Sequence, residues 1–269
     1  MTGVLAGLED ANAISFADCD HFVGTSAGAI VAAKLVSGRP LHRPGSVVNG
    51  AAADGQPRLP DWAANSALAI AAPFASIGLR VAVRPAEVIR AAALSVVARD
   101  DREQLDFREA FPPRRVRFDG RLRVVAVDRR SGRRVVFGAP GAPRATVAQA
   151  LRASCALPLV FAPAVIAGRE YVDGAIWSPT NADVAPPGRD ARVLILATMA
   201  SAHGPWSAPL RAATRATMLI EASALKARGA QVRIITPDRS SAASIGDDLM
   251  SGERLDETHA AGYAQGRAS

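Results

Sequence analysis

The segment around Ser26 constrains the fold of this chain more than any other part of the sequence. An apolar run ending at Val23 precedes it, and an apolar helical pattern follows it over residues 27–35. At their junction, Gly24-Thr25-Ser26-Ala27-Gly28 matches the pattern G-x-S-x-G. This pattern is typical of a nucleophilic serine held on a sharp turn between a buried strand and a helix. Because so short a pattern also arises by chance, a glycine-rich turn without chemistry is the alternative.

The rest of the chain alternates between strand-like and helix-like stretches. Two hairpins are predicted, with strands over residues 122–127 and 133–137 and over residues 164–166 and 170–172, because β-branched runs flank tight turns there. Thr146 and Gln149 form a capping-box pattern that begins a helix. Further strands are predicted over residues 193–198 and 231–236, a loop over 39–60, and helices over 4–13, 62–79, 85–99, 210–228 and 255–263. This alternation predicts a layered α/β domain with a largely parallel sheet.

The charge of the chain bears on its partners. The formal net charge is +7, and almost all the basic residues are arginines that occur singly or in pairs. There is no run of five Lys or Arg residues, and aromatic residues do not alternate with the basic ones, so we expect no nucleic-acid partner. A basic balance leaves room for peripheral contact with an anionic membrane surface.

The cysteines and histidines bear on metals and on the compartment. Cys19 and Cys155 are the only cysteines, and the four histidines lie far apart along the chain. This usage gives neither a disulfide framework nor zinc-ligand spacing, so we expect no metal and a cytoplasmic location, and we interpret both cysteines as small core residues. The start of the chain lacks the features of a signal peptide, and no stretch has the ~18 uninterrupted apolar residues of a membrane span. We therefore expect a soluble protein or one that contacts membranes peripherally.

A nucleophilic serine needs a base, and the sequence offers two kinds. His203 and His259 follow Ser26 and formally permit a triad, although an α/β-hydrolase places several strands before its nucleophile. Asp173 is the other candidate, because it follows a strand and precedes a glycine. Desolvation would raise the pKa of its carboxyl group enough for it to take a proton from the serine. An Asp-Gly turn is the structural alternative for this residue.

Three segments together resemble the bacterial patatin-like phospholipase family, which uses a Ser–Asp dyad without histidine. The first is the Ser26 turn, and the second is Asp173-Gly174-Ala175. The third is the stretch Ala153-Ser154-Cys155-Ala156-Leu157-Pro158 with the Val160-Phe161-Ala162-Pro163 that follows it, which is similar to the family's approach to the Asp motif. The resemblance covers roughly residues 1–200.

The resemblance implies a fold and roles for individual residues. The fold is a three-layer α/β/α sandwich, and we expect one domain over residues 1–269, with the core motifs in 1–200 and a C-terminal strand and helix segment with a polar tail in 201–269. Ser26 is the implied nucleophile and Asp173 the implied base, and neither metal nor cofactor is needed. The resemblance also implies that the nucleophile elbow consists of Gly24, Thr25, Ala27 and Gly28 around Ser26. The Ala27 N–H is the implied oxyanion donor, and Gly174 and Ala175 complete the Asp motif.

The implied function is hydrolysis of a lipid ester through an acyl-enzyme, with a phospholipid, a lysophospholipid or a neutral glyceride as the substrate. Family members carry a glycine-rich oxyanion loop just before the first helix. Residues 3–9 resemble that helix, and the loop is not in this sequence. We therefore expect either that the loop lies upstream or that this form is impaired. A catalytically impaired lipid-binding or regulatory protein is the alternative function, and a histidine-dependent esterase is a third.

Overall fold

The computed structural model describes residues 1–45, 94, 105–112, 115–158, 160–186, 188–203, 208–245 and 254–269. The helices predicted over residues 62–79 and 85–99 lie outside the described residues, apart from Leu94, as does most of the loop predicted over 39–60.

The described part of the chain alternates helices and strands. The α-helices are α1 (Thr2–Asn12), α2 (Ala27–Val36), α3 (Val147–Cys155), α4 (Ala208–Ala227), α5 (Arg239–Ile245) and α6 (Leu255–Ala268). The strands are β1 (Phe22–Thr25), β2 (Leu122–Asp128), β3 (Arg134–Phe137), β4 (Ala164–Ile166), β5 (Arg169–Asp173), β6 (Arg192–Leu196) and β7 (Gln231–Ile235). Short 3-10 turns cover Phe16–Asp18, Gly174–Ile176, Ala182–Val184 and Thr198–Ala200. The strands and helices predicted within these residues are confirmed, and α6 continues past its predicted end.

The strands form a mixed sheet with β2 at its centre. β1 pairs with β2 in parallel, whereas β3 and β5 pair with β2 in antiparallel orientation and β4 pairs with β5 likewise. β6 and β7 form a separate parallel pair. The α/β fold is confirmed, but the expectation of a largely parallel sheet is wrong for these strands. The two predicted hairpins account for the pairs β2–β3 and β4–β5, because a tight turn such as Ala167-Gly168, with φ of 49° and 74°, returns the chain antiparallel. The antiparallel pairing of β2 with β5 is a long-range contact that no turn produces.

Both faces of β2 are covered, as a layered fold requires. Leu122, Val124 and Ala126 point into the main hydrophobic core, which also receives side chains of α2 and α3. Val127 points to the opposite face and packs in a second cluster with residues of β5 and the 3-10 turn after it. Because successive side chains of a strand alternate between faces, this division is what a sheet between two layers produces.

Helix α1 begins without a side-chain hydrogen bond at its N-cap. It is held instead by very close packing against α6. A Cβ atom added at Gly7 would lie 2.2 Å from the Tyr263 carbonyl oxygen, and one added at Gly266 would lie 2.2 Å from the Val4 carbonyl oxygen. Tertiary packing therefore supplies the stability that capping does not, as is usual for helices in folded proteins. Within the described residues, no helix is both long enough and apolar enough to span a membrane.

Candidate active site

Ser26 lies on the sharp turn between β1 and α2, as the sequence predicts. Its backbone has φ of 52° and ψ of −126°, a conformation that residues with a side chain rarely adopt and that functional sites retain. Gly24 permits this turn, because a Cβ atom there would lie 2.3 Å from the Ala29 Cα atom of the following helix. Steric contact between strand and helix therefore requires glycine at position 24.

Strands β1 and β5 meet end to end along one edge of β2. Thr25, the last residue of β1, pairs with Val125, and Asp173, the last residue of β5, pairs with the next residue of β2, Ala126. The other edge of β2 is taken by β3. Because neighbouring residues of a strand are about 3.3 Å apart, the two converging strand ends bring Ser26 and Asp173 together.

Asp173 is buried, with 1% of its surface exposed. Its carboxylate accepts a hydrogen bond of 2.8 Å from the Ala175 N–H, and the Ser26 side chain lies close enough to affect its pKa. Burial raises the pKa of Asp173 to about 7, although the Ala175 N–H and the Ser26 side chain lower it. A carboxyl group with a pKa near neutrality can act as a base at physiological pH.

The two residues that follow Asp173 have distinct tasks. The Ala175 N–H supplies the hydrogen bond to the carboxylate. Gly174 lets the backbone pass close to β2, because a Cβ atom there would lie 2.4 Å from the Val125 carbonyl oxygen and 3.1 Å from the Thr25 Cγ2 atom. The glycine therefore allows the turn after Asp173 to pack closely against both β2 and the Ser26 elbow.

Cys155, at the end of α3, also lies beside Ser26. Burial and the charge of Asp173 raise the pKa of its thiol, whereas a hydrogen bond with the Ser26 side chain lowers it. Its burial agrees with the interpretation as a core residue, while Cys19 is only half-buried. The described residues contain no cluster of three or more His, Cys, Asp or Glu side chains that could hold a metal ion.

Ser154 holds the elbow, and sequence reasoning assigned it no role. Its hydroxyl accepts a hydrogen bond of 2.9 Å from the Ser26 N–H and donates one of 2.6 Å to the Val125 carbonyl oxygen. The side chain is completely buried. The sequence places Ser154 in the family-like stretch before the Asp motif, which indicates a segment of the family fold but not a partner. Only the structure shows that Ser154 contacts Ser26, 128 positions earlier.

Asn181 is a second residue that the sequence did not single out. It is completely buried, and its side-chain Nδ2 donates to the Thr25 hydroxyl at 3.0 Å and to the Gly174 carbonyl oxygen at 3.2 Å. Its φ of 48° lies in the left-handed region, which asparagine tolerates better than most residues, but this angle cannot be read from the sequence. One amide thus contacts the residue before Ser26 and the residue after Asp173.

The sequence model of the patatin-like phospholipases matches residues 1–186, a span that contains both the Ser26 elbow and the Asp173 motif. The chain belongs to the patatin-like phospholipase family. Membership indicates a lipid acyl hydrolase acting on lipid substrates. No curated protein matches the chain.

The backbone N–H groups available for an oxyanion in this patatin-like protein are limited. Ser154 engages the N–H of Ser26, whereas the N–H groups of Ala27 and Gly28 belong to the first turn of α2 and have no acceptor within the helix. The positive end of the helix dipole lies at the same place. The Ala27 N–H is therefore well placed for a developing negative charge.

A cavity of about 1170 Å³ lies beside the elbow, between β1, α2 and β6. Gly28 and Thr180 are in its wall, but Ser26 and Asp173 are not. The cavity is thus a neighbour of the Ser–Asp pair and does not enclose it. Unlike Gly24, Gly28 is not required by contact with other protein atoms, because a Cβ atom there would have nothing within 4 Å.

The histidines lie elsewhere in the described structure. His21 and His203 are exposed. The rings of His42 and His259 are in contact, with centroids 4.9 Å apart and planes tilted by 51°. Burial, followed by the charge of His42, lowers the pKa of His259. The titratable side chains that the fold brings to Ser26 are thus those of Asp173 and Cys155.

Proposed function

We propose that this patatin-like protein hydrolyses carboxylic esters of lipids with Ser26 as the nucleophile and Asp173 as the base. The observation that carries the proposal is that the converging ends of β1 and β5 place Ser26 beside the buried Asp173 carboxylate, whose pKa is raised by burial to about 7. A carboxylate in water is too weak a base for a serine hydroxyl, and desolvation reduces that mismatch.

In the proposed reaction, the Ser26 Oγ attacks the ester carbonyl carbon while its proton passes to Asp173. The tetrahedral intermediate collapses, the bond to the alcohol oxygen breaks, and the leaving alcohol takes the proton from Asp173. A water molecule then gives a proton to Asp173 and attacks the acyl-enzyme. The fatty acid leaves, and the proton returns from Asp173 to Ser26, so the enzyme is regenerated without a metal or cofactor.

The Ala27 N–H is the proposed donor to the carbonyl oxygen when this oxygen becomes negatively charged. It follows the nucleophile directly, and it lies at the N-terminus of α2. Each such donor contributes on the order of 10² to 10³ in rate. The Ser26 N–H is excluded from this role because it already donates to Ser154.

The proposal is tested with Ser26→Ala, Asp173→Asn and the double variant, assayed on a phospholipid, a lysophospholipid and a diacylglycerol. Each single variant is expected to be near background, and the double variant hardly worse, because the two residues act as a unit. Asp128→Asn is the matched control, since Asp128 is also a buried carboxylate of the same sheet, and should keep most of the activity. Hydrolysis that survives in Asp173→Asn contradicts the proposal.

We also propose that the protein is cytoplasmic and meets its substrate at an anionic membrane surface. The two free cysteines support the location. The formal charge of +7 supports the membrane contact, and so does the exposed face of α4, which carries Arg215, Leu219, Ile220 and Lys226. The acidic residue of this helix, Glu221, is buried on its other face. Vesicles with phosphatidylserine should therefore retain more protein than phosphatidylcholine vesicles, and salt should reduce the difference. Equal retention on both kinds of vesicle contradicts the proposal.

A further inference from the structure

The two ends of the proposed dyad belong to strands that have no hydrogen-bonded ladder with each other. β1 and β5 each pair with β2, and in the described sheet neither pairs with the other. The distance between Ser26 and Asp173 therefore depends on contacts outside the ladders. The Asn181 side chain supplies such a contact, because its Nδ2 reaches Thr25 and Gly174 at the same time.

The orientation of the Asn181 amide follows from its partners. Nδ2 also donates to the Ser178 carbonyl oxygen, and carbonyl oxygens accept but never donate. On the other side, Oδ1 accepts from an Arg134 guanidinium N–H at 3.2 Å, a group that donates only. Arg134 is itself fixed by a two-pronged pair with Asp183, with both N···O distances 2.7 Å. The amide is thus held from both ends and cannot be rotated by half a turn without losing these bonds.

The residues on either side of Asn181 are hydrogen-bonded to Glu221 of α4. The buried Glu221 carboxylate accepts the Thr180 hydroxyl at 2.5 Å and the Ala182 N–H at 2.9 Å. Glu221 has 2% of its surface exposed. Because the residues before and after Asn181 are bound to one carboxylate, the left-handed conformation of Asn181 is held in place.

We propose that Asn181 is a positioning residue that sets the separation of Ser26 and Asp173 by binding the turn of each to a single amide. The inference rests on the proposed dyad. The hydrogen bonds of the Asn181 side chain go to the neighbours of the nucleophile and the base, so it acts through Thr25 and Gly174. Loss of the amide frees the two turns to separate, so that the Ser26 side chain moves away from the Asp173 carboxylate.

The test replaces Asn181 with glycine, which adopts the same positive φ without strain and removes only the side chain. The readout is the rate constant of covalent labelling of Ser26 by a fluorophosphonate, measured from pH 5 to 9 on protein that keeps its fold by circular dichroism. We expect labelling at least about tenfold slower at pH 8, since a misplacement of about 1 Å can cost about 10²-fold. We also expect the midpoint of the pH profile to move upward, because the Ser26 side chain lowers the pKa of Asp173.

Ser178→Ala is the matched control. It removes the hydroxyl that accepts from the Thr180 and Asn181 N–H groups, so it loosens the same loop while the contacts to Thr25 and Gly174 remain. It should change neither the rate constant nor the midpoint substantially. If Asn181 served stability alone, both variants would have a lower melting temperature, and the midpoint of the pH profile of labelling would not change in either.

The outcomes separate this inference from the proposed function. If the wild-type protein is not labelled at Ser26, the proposed dyad fails. If the wild-type protein is labelled and Asn181→Gly reacts at the same rate with the same midpoint, the dyad stands and the role of Asn181 is overturned. If Asn181→Gly does not fold, Asn181→Asp decides by its rate constant of labelling alone, because it keeps the shape of the side chain and replaces the Nδ2 donor with an acceptor, while its added charge itself moves the midpoint upward.

Discussion

Replacing Asp173 with asparagine should stabilise the folded protein at neutral pH while it removes hydrolysis. Burial raises the pKa of this carboxyl group from its ordinary 3.8 to about 7. Since each pKa unit corresponds to about 1.4 kcal/mol, holding the ionised group in the folded state costs about 4 kcal/mol above pH 7. Asparagine has a similar shape, keeps an oxygen for the Ala175 N–H and carries no charge.

The sign of the pH dependence follows from the raised pKa. Between pH 4 and 7 the folded protein binds a proton at Asp173 that the unfolded chain has already lost. The free energy of unfolding of the wild type therefore falls as the pH rises through this window and levels off above it. The asparagine variant lacks this contribution. The contributions of the other titratable groups to the free energy of unfolding are the same in both proteins, so they cancel in the difference.

The assay is urea denaturation of both proteins at pH 4.5, 6 and 8, followed by circular dichroism. The two free energies of unfolding should be closest at pH 4.5, and the variant should exceed the wild type by up to about 4 kcal/mol at pH 8. Asp128→Asn, which replaces a buried carboxylate of the neighbouring strand β2, is the control for placing an asparagine in this sheet. Parallel curves for wild type and Asp173→Asn across this range would refute the account of a desolvated base.

Three further predictions concern the elbow and the histidines. Gly24→Ala should destabilise the fold by about 1 to 3 kcal/mol because of overpacking, whereas Gly28→Ala should be neutral or stabilising by up to about 1 kcal/mol in thermal melts. Ser154→Ala should cost about 1 to 3 kcal/mol and slow labelling of Ser26, whereas Ser244→Ala, a buried serine elsewhere, should leave labelling unchanged. Replacing each histidine with glutamine should leave the turnover number within about tenfold of the wild type; the positions are His21, His42, His203 and His259. A much larger loss of activity at any one of them would support a histidine-dependent triad.

Local patterns account for what the sequence could predict. The elbow is encoded within five residues, and the helix that starts after Thr146 has both hydrogen bonds of its capping box, of 2.9 and 3.2 Å. Both hairpins were likewise readable, because the strands and the turn are contiguous. These elements need no information about distant parts of the chain.

What the sequence could not predict depends on long-range contacts. The antiparallel pairing of β2 with β5 joins segments that no turn connects, so the alternation of strands and helices suggested a parallel sheet instead. Asn181 and Thr25 are 156 positions apart, and nothing near either residue indicates the other. Cys155 likewise reads as a small core residue until the fold places its thiol beside Ser26.

The central claim is that the Asp173 carboxylate is the base for Ser26, and the pH dependence of Ser26 labelling tests it most directly. In the wild type, the rate constant for reaction with a fluorophosphonate should rise with pH through a midpoint near the pKa of about 7 and then level off. In Asp173→Asn it should be lower by about 10² to 10⁴ and show no such step. The same step at the same pH in Asp173→Asn would mean that another group takes the proton, and the dyad would be contradicted.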